Sequence, residues 1–216
     1  MILATSIWWL YRSARRHVKA DWGHAWMNWV DGLNRLYCLR YHRLEGDCIP
    51  LPEAGGAVVV ANHFSGLDPC LLMASARRPL RFMIAREHYN IPGLRWFYDQ
   101  IGCIPVDRKG RPEKALRDAI AALRQGEVIA LFPHGKIHLR HHPSRKLKGG
   151  AVRLALSGEC DIYPARIDGI AAEGVIVGAL LKRSHATLEA LPVVETAEKS
   201  VHELMDLLES LLNNPV

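Results

Sequence analysis

The stretch Ala57-Val58-Val59-Val60-Ala61-Asn62-His63-Phe64-Ser65-Gly66-Leu67-Asp68-Pro69 decides the fold. Its first five residues are apolar and rich in valine, the mark of a strand buried on both faces. Cys70-Leu71-Leu72-Met73-Ala74 follows and reads as the start of a helix. Between the two the chain must turn, and Gly66 gives it freedom to bend. The turn carries His63 and, five residues later, Asp68. Such a bend can bring the carboxylate back to one ring nitrogen, which fixes the tautomer and leaves the other nitrogen as a base. Two plainer readings compete. Asp68-Pro69 is also an ordinary helix start, a cap followed by a first-turn proline. His63 also fits a core histidine whose hydrogen bonds are satisfied.

Outward from this turn, short apolar runs alternate with helical patterns. Strands are expected at 81–85, 103–106, 128–132, 161–167 and 174–178, and helices at 94–101, 112–125, 150–157 and 197–212. Pro105 places the 103–106 strand at a sheet edge. The alternation predicts an α/β fold with a mixed, largely parallel sheet flanked by helices. In such sheets chemistry gathers at loops beyond the carboxyl ends of the strands.

Residues 1–44 differ from the remainder. They hold five of the six tryptophans: Trp8, Trp9, Trp22, Trp26 and Trp29. Leu3, Ile7, Tyr11, Ala14 and Val18 share one helical face, with Arg12, Arg15, Arg16 and Lys19 mainly on others. Trp22, Trp26, Trp29, Leu33 and Leu36 repeat the pattern after a break at Asp21 and Gly23. Tryptophan-rich faces flanked by cations describe an interfacial helix, although an aromatic stripe packed on the protein's own core has the same spacing. The expected organisation is an N-terminal amphipathic two-helix membrane-binding segment at 1–44 and an α/β domain at 45–216, joined through the Pro- and Gly-rich stretch that begins the latter.

A chain of 216 residues is ample for a real core. Its formal charge of +6 points to an anionic partner. The five cysteines are scattered, with no CxxC pair, so neither a zinc ribbon nor a disulfide framework is suggested and a reducing compartment fits. No apolar run reaches the roughly 18 residues of a spanning helix. The apolar start lacks the basic region and small-residue cleavage site of a signal peptide. The expected location is therefore peripheral, on the cytoplasmic face of a membrane with anionic lipids.

Three further blocks fall at strand ends. They are Gly102-Cys103-Ile104-Pro105-Val106-Asp107-Arg108, Phe132-Pro133-His134-Gly135-Lys136 and Ile162-Tyr163-Pro164. With Asn62 to Asp68 these blocks, in this order, resemble the glycerolipid acyltransferase family, the 1-acyl-glycerol-3-phosphate acyltransferases. The resemblance covers 58–167, and Lys148 to Ala155 looks like the family's segment between its third and fourth blocks. The first block is the family's His-x-x-x-x-Asp motif, intact.

The resemblance implies transfer of a fatty acyl group from a thioester, acyl-CoA or acyl-carrier protein, to a hydroxyl of a lysophospholipid or related lyso-lipid. It makes His63 the general base and Asp68 its orienting partner. Arg108 would hold an anionic head group, with Asn62, His134, Gly135 and Lys136 as further substrate-binding positions. No cofactor is implied beyond the acyl thioester as co-substrate. The third block departs from the family pattern Phe-Pro-Glu-Gly-Thr-Arg, with His134, Lys136 and Ile137 in place of Glu, Thr and Arg. A lysine there offers a point charge where arginine offers a fork. An acceptor outside the glycerophosphate class is thus a second reading.

His134, His138, His141 and His142 invite a metal reading. Pro133, Gly135 and Pro143 oppose a regular helix, and no nearby carboxylate orients the ligands. No metal is expected, and the segment reads as a basic loop for an anionic surface. A lipid-binding protein without turnover is the competing function, opposed by intact His63 and Asp68. A nucleic-acid binder is suggested by charge alone. It lacks aromatic and basic residues interleaved on a strand platform, so no nucleic-acid partner is expected.

Overall fold

The computed structural model describes residues 2–108, 110–137 and 146–213. In chain order the elements are α1 Ile2–His17, α2 Ala25–Arg40, β1 Glu45–Gly46, β2 Ala57–Ala61, α3 Asp68–Ala74, β3 Leu80–Ala85, α4 Arg86–Tyr89, α5 Arg95–Ile101, β4 Ile104–Val106, α6 Glu113–Arg124, β5 Val128–Leu131, α7 Gly150–Gly158, β6 Ile162–Asp168, α8 Val177–Leu181, β7 Thr187–Ala190 and α9 Val201–Asn213. They fall into two compact units. One comprises 1–49, 64–79 and 167–189, and the other 50–63, 80–166 and 190–216.

The second unit is built on parallel strands in the order β6-β2-β5-β3-β4. Val58 stands opposite both Ile129 and Ile162, and all five residues of β2 are buried, as its unbroken apolar run predicts. β4 with Pro105 is at the edge. One antiparallel bridge, Ile162 to Val194, makes the pairing mixed. On one face Val58, Val60, Ile129 and Ile162 pack against α6 through Ala115, Ala119 and Leu123, against α7 through Val152 and Ala155, and against α9 through Leu204 and Leu208. The small alanines let the helices lie close, and each buried Val, Ile or Leu contributes about 1.5–3 kcal/mol.

In the first unit α1 and α2 meet backbone to side. A Cβ on Gly32 would lie 2.0 Å from the Ala14 carbonyl oxygen, so only glycine fits. Asp31, buried on α2, accepts hydrogen bonds from the N–H groups of Lys19 at 3.2 Å and Ala20 at 3.4 Å and pairs with Arg35 at 3.0 Å. The Arg35 guanidinium then donates to the carbonyls of Ala74 and Ala76. Those carbonyls close α3, where unpaired oxygens welcome a cation. Asn34 adds a bond to the Cys70 carbonyl at 2.9 Å. The α2 face is thus clamped along α3.

The N-terminal pattern resolves unevenly. Trp8 and Trp9 are 57% and 64% exposed, whereas Ala14 on the predicted apolar face is fully buried. The side chains of Leu3 and Ile7 lie outside the described residues. Trp22 precedes α2 instead of joining its face. Among the described residues no helix is long and apolar enough to cross a membrane. One expected strand is corrected: 174–178 forms a loop leading into α8, and the strand of this region is β7. Val175-Ile176-Val177 is β-branched but lies between Gly174 and Gly178, and Gly174 has a left-handed φ of 81° that breaks an extended run.

Candidate active site

Asn62 and His63 follow directly on β2 at its carboxyl end. Asn62 is buried and His63 half-buried. β5 is the hydrogen-bonded neighbour of β2 and ends at Leu131, so Phe132 emerges beside His63. Their rings stack with centroids 4.0 Å apart and planes within 10°. Phe82 of β3, the next strand over, stacks on Phe132 at 6.3 Å. The strand order thus builds a row of three rings. A stacked face restrains the imidazole, whose proton exchange runs through the nitrogens in the ring plane. Sequence reading assigned Phe132 to a block without giving it this role. The available signal was an aromatic residue at one strand end matching a histidine at another.

Asp68 is the first residue of α3 and fully buried. Its Oδ2 accepts from the N–H groups of Phe64 at 2.6 Å and Ser65 at 2.9 Å, and its Oδ1 accepts from the Ser65 hydroxyl at 3.0 Å. Ser65 Oγ accepts in turn from the Leu67 N–H at 3.1 Å. The competing reading of Asp68 as the helix cap is therefore corrected. Leu67 holds the capping position and no side chain caps there. Side chains in a helix lean toward its N-terminus, so a residue already inside α3 reaches back into the turn. The carboxylate leaves a mark on its neighbour: burial first, then the Asp68 charge, push the Cys70 thiol up to about 11.

Gly66 is needed for a different reason from the one its sequence suggests. It lies outside the left-handed region, but a Cβ there would sit 2.3 Å from the Ile176 carbonyl oxygen. The 64–66 turn and residues 174–176 are also joined by two bonds. Gly66 N–H donates to the Val175 carbonyl at 3.1 Å, and Gly174 N–H donates to the Phe64 carbonyl at 2.8 Å.

The third block forms a tight turn after β5. Gly135 N–H donates to the Phe132 carbonyl at 2.9 Å, and Gly135 takes a φ of 73°, which favours glycine. Lys148 N–H donates to the Pro133 carbonyl at 3.0 Å, and its ammonium lies 2.8 Å from where a Gly135 Cβ would stand. His134 is buried and Lys136 exposed. Lys148, read in sequence only as part of a family segment, thus joins Lys136 as a cation at this turn. His138, His141 and His142 lie outside the described residues.

Arg108 follows β4 and stands 3.8 Å from Glu87, which follows β3. Its neighbour Asp107 pairs with Arg86 at 3.5 Å and accepts from the Gly110 N–H at 2.8 Å. Lys109 lies outside the described residues. β4 is three strand spacings from β2, about 14 Å. His63 and the third block are therefore side by side, while Arg108 stands apart on the same sheet edge. A ligand reaching both must be elongated. Among the described residues no group of three or more His, Cys, Asp or Glu side chains is disposed to hold a metal.

A family model described as Acyltransferase matches residues 47–168. The chain is 28% identical over 120 residues to the 1-acyl-sn-glycerol-3-phosphate acyltransferase of Bacillus subtilis, covering 55% of this chain and 59% of that one. It is 32% identical over 119 residues to a probable 1-acyl-sn-glycerol-3-phosphate acyltransferase of Mycoplasma pneumoniae, covering 52% of this chain and 44% of the other. The chain thus matches under two thirds of the length of these relatives. The crystal structure of the 1-acyl-sn-glycerophosphate (LPA) acyltransferase PlsC from Thermotoga maritima has the same fold, with a TM-score of 0.66 and 21% identity over 84% of this chain and 76% of that one.

Proposed function

Because the chain belongs to the acyltransferase family, matched from residue 47 to residue 168, we propose that it transfers a fatty acyl group from a thioester to the hydroxyl of a lysophospholipid of the 1-acyl-glycerol-3-phosphate type. The observation that carries this reading is His63 at the end of β2, five residues before Asp68 and stacked on Phe132 from the neighbouring strand. The His63 ring takes the proton of the acceptor hydroxyl as its oxygen attacks the thioester carbonyl. The C–S bond then breaks, and the thiolate recovers the proton from the imidazolium. Asp68 orients the ring and stabilises its charged form. No acyl-enzyme is needed.

Arg108 holds the anionic head group, while Lys136 and Gly135 lie at the third-block turn, with the buried Asn62 and His134 as further substrate-binding positions. The roughly 14 Å between the β2 and β4 ends suits an acceptor whose hydroxyl and head group are separated. The donor is acyl-CoA or acyl-carrier protein. Exposed Trp8 and Trp9, with Arg12 over the Trp8 ring at 4.5 Å, support a reading in which α1 lies at the headgroup level of an anionic membrane, on its cytoplasmic face. His134, a buried imidazole where the family carries a carboxylate, favours a second acceptor class outside the glycerophosphates.

The test is acyl transfer from long-chain acyl-CoA and acyl-carrier protein to a panel of lyso-lipids, by wild type and His63→Ala. Product from lysophosphatidate with wild type alone is the expected result. Equal turnover by a folded His63→Ala protein overturns the mechanism. Transfer only to a head group without glycerophosphate selects the second acceptor class.

A further inference from the structure

Val175, Ile176 and Val177 are 46%, 50% and 67% exposed, and Leu181 on α8 is 74% exposed. Water-facing aliphatic side chains this close together need an explanation. Looseness of the segment is not one, because its backbone is anchored from several sides. Gly174 N–H and the Val175 carbonyl bond to the 64–66 turn. The Tyr37 and Tyr41 hydroxyls of α2 and the residue after it donate to the carbonyls of Leu180 and Leu181, the second at 2.5 Å. The two tyrosine rings stack on each other at 5.6 Å. Ala179 between them is fully buried. The segment is therefore held by its backbone while its large side chains point outward.

Its rim is cationic. Lys182 and Arg183 follow α8 directly, and Arg40 and Arg43 stand at the end of α2, all four exposed. Arg183 Nε donates to the Tyr41 carbonyl at 3.1 Å, and Arg43 contacts His185 at 2.9 Å, so the basic groups are tied to the same clamp. Glu173 is the acid of this stretch. Aliphatic side chains ringed by lysine and arginine fit a bilayer, where the chains enter the acyl boundary and the cations meet phosphate. Protein interfaces choose differently, with aromatic anchors and few lysines.

We infer that residues 174–182 form a second lipid-contacting element, separate from α1, which inserts Val175, Ile176, Val177 and Leu181 into the headgroup boundary of an anionic bilayer. Because 174–176 bond directly to 64–66, insertion seats the turn carrying Asp68 at the bilayer surface. The inference rests on the proposed lyso-lipid substrate only for its purpose, since a lyso-lipid acceptor is itself at that surface.

The test uses the full chain with Val177→Cys in a Cys48→Ser background, Cys48 being the exposed cysteine among the described residues. The new thiol carries an environment-sensitive fluorophore, and mock-labelled Cys48→Ser protein is the control. Vesicles are phosphatidylcholine, with or without phosphatidylglycerol, and carry brominated acyl chains. Quenching by bromine on the anionic vesicles is expected. Val177→Asp and Leu181→Asp should each weaken vesicle partition about tenfold, the scale of one aliphatic side chain's transfer. Turnover of a short-chain acceptor below its micelle concentration should be unchanged in both. A label that stays open to aqueous iodide on vesicle-bound protein overturns the inference. So does a label that responds only to added acyl-carrier protein, which would assign the surface to a protein. Bromine quenching without any acyl transfer leaves this inference standing and removes the functional one.

Discussion

Replacing Asp68 with asparagine separates the two jobs its carboxylate has been given. The amide oxygen can take the place of Oδ2 and keep the bonds from the Phe64 and Ser65 N–H groups, at 2.6 and 2.9 Å. The amide NH2 then faces Ser65 Oγ, 3.0 Å from Oδ1, and donates to it once the hydroxyl proton rotates away. All three contacts survive, but each loses its charge assistance, while the cost of burying an anion is relieved. The net loss of stability is about 1–2 kcal/mol, roughly 3–6 °C in Tm for a chain of this size. In the proposed mechanism the variant loses the anion that balances the imidazolium, and kcat should fall by about 10²–10⁴-fold with little change in KM. Asp68→Ala is the contrast. It removes the acceptor of one buried and one partly buried N–H group and should cost about 2–6 kcal/mol. Thermal melts and steady-state acyl transfer on the three proteins decide the matter. Asp68→Asn within threefold of wild-type kcat would show that the carboxylate only braces the turn, and the assigned mechanism would be wrong.

Phe132→Ala removes the ring that restrains His63 and should lower kcat about five- to tenfold, the worth of one aromatic stack, while Phe132→Tyr keeps it. Equal losses in both variants would refute the orienting role. Gly66→Ala drives a methyl against the Ile176 carbonyl and should lower Tm by several degrees, whereas Gly93→Ser, where a side chain meets open space but φ is 83°, should cost only about 1 kcal/mol. Burial pulls the His42 pKa below its ordinary value. The unfolded chain therefore binds the proton more readily, so this contribution to stability is whole above about pH 6.5 and declines as pH falls. Denaturant melts from pH 8 to pH 5 should show that slope, and His42→Gln should flatten it. Burial also pushes the Cys103 thiol up to about 12, so alkylation at pH 8 followed by mass spectrometry should find Cys48 modified and Cys103 untouched.

The sheet was legible because its strands are short, mainly apolar runs, and Val58 to Val60 admit no amphipathic reading. β4 was legible as an edge through Pro105. Val175 to Val177 misled because β-branching reports a pleated, half-buried preference and not burial itself. β1 and β7 are too short for periodicity to show. Of the candidate site, the positions at strand ends followed from the alternation of elements. The geometry did not, because it depends on strand order: only the pairing of β2 with β5 sets Phe132 against His63. The competing cap reading of Asp68 was off by one helical position: Leu67 stands at the cap, and Asp68 braces the turn behind it.

Both units are assembled from separated stretches of chain, and this bears on how the protein is made. The unit holding α1, α2 and α3 is closed by residues 167–189, so 117 residues, with 64–79 among them, are made between residue 49 and the start of its last stretch. At 5–20 residues per second that is roughly 6–24 s, far longer than a helix takes to form. Throughout that interval Tyr37 lacks Leu180 and the 64–66 turn lacks Val175. The nascent chain therefore carries a tryptophan-bearing helix pair before the stretch that closes its unit has been made.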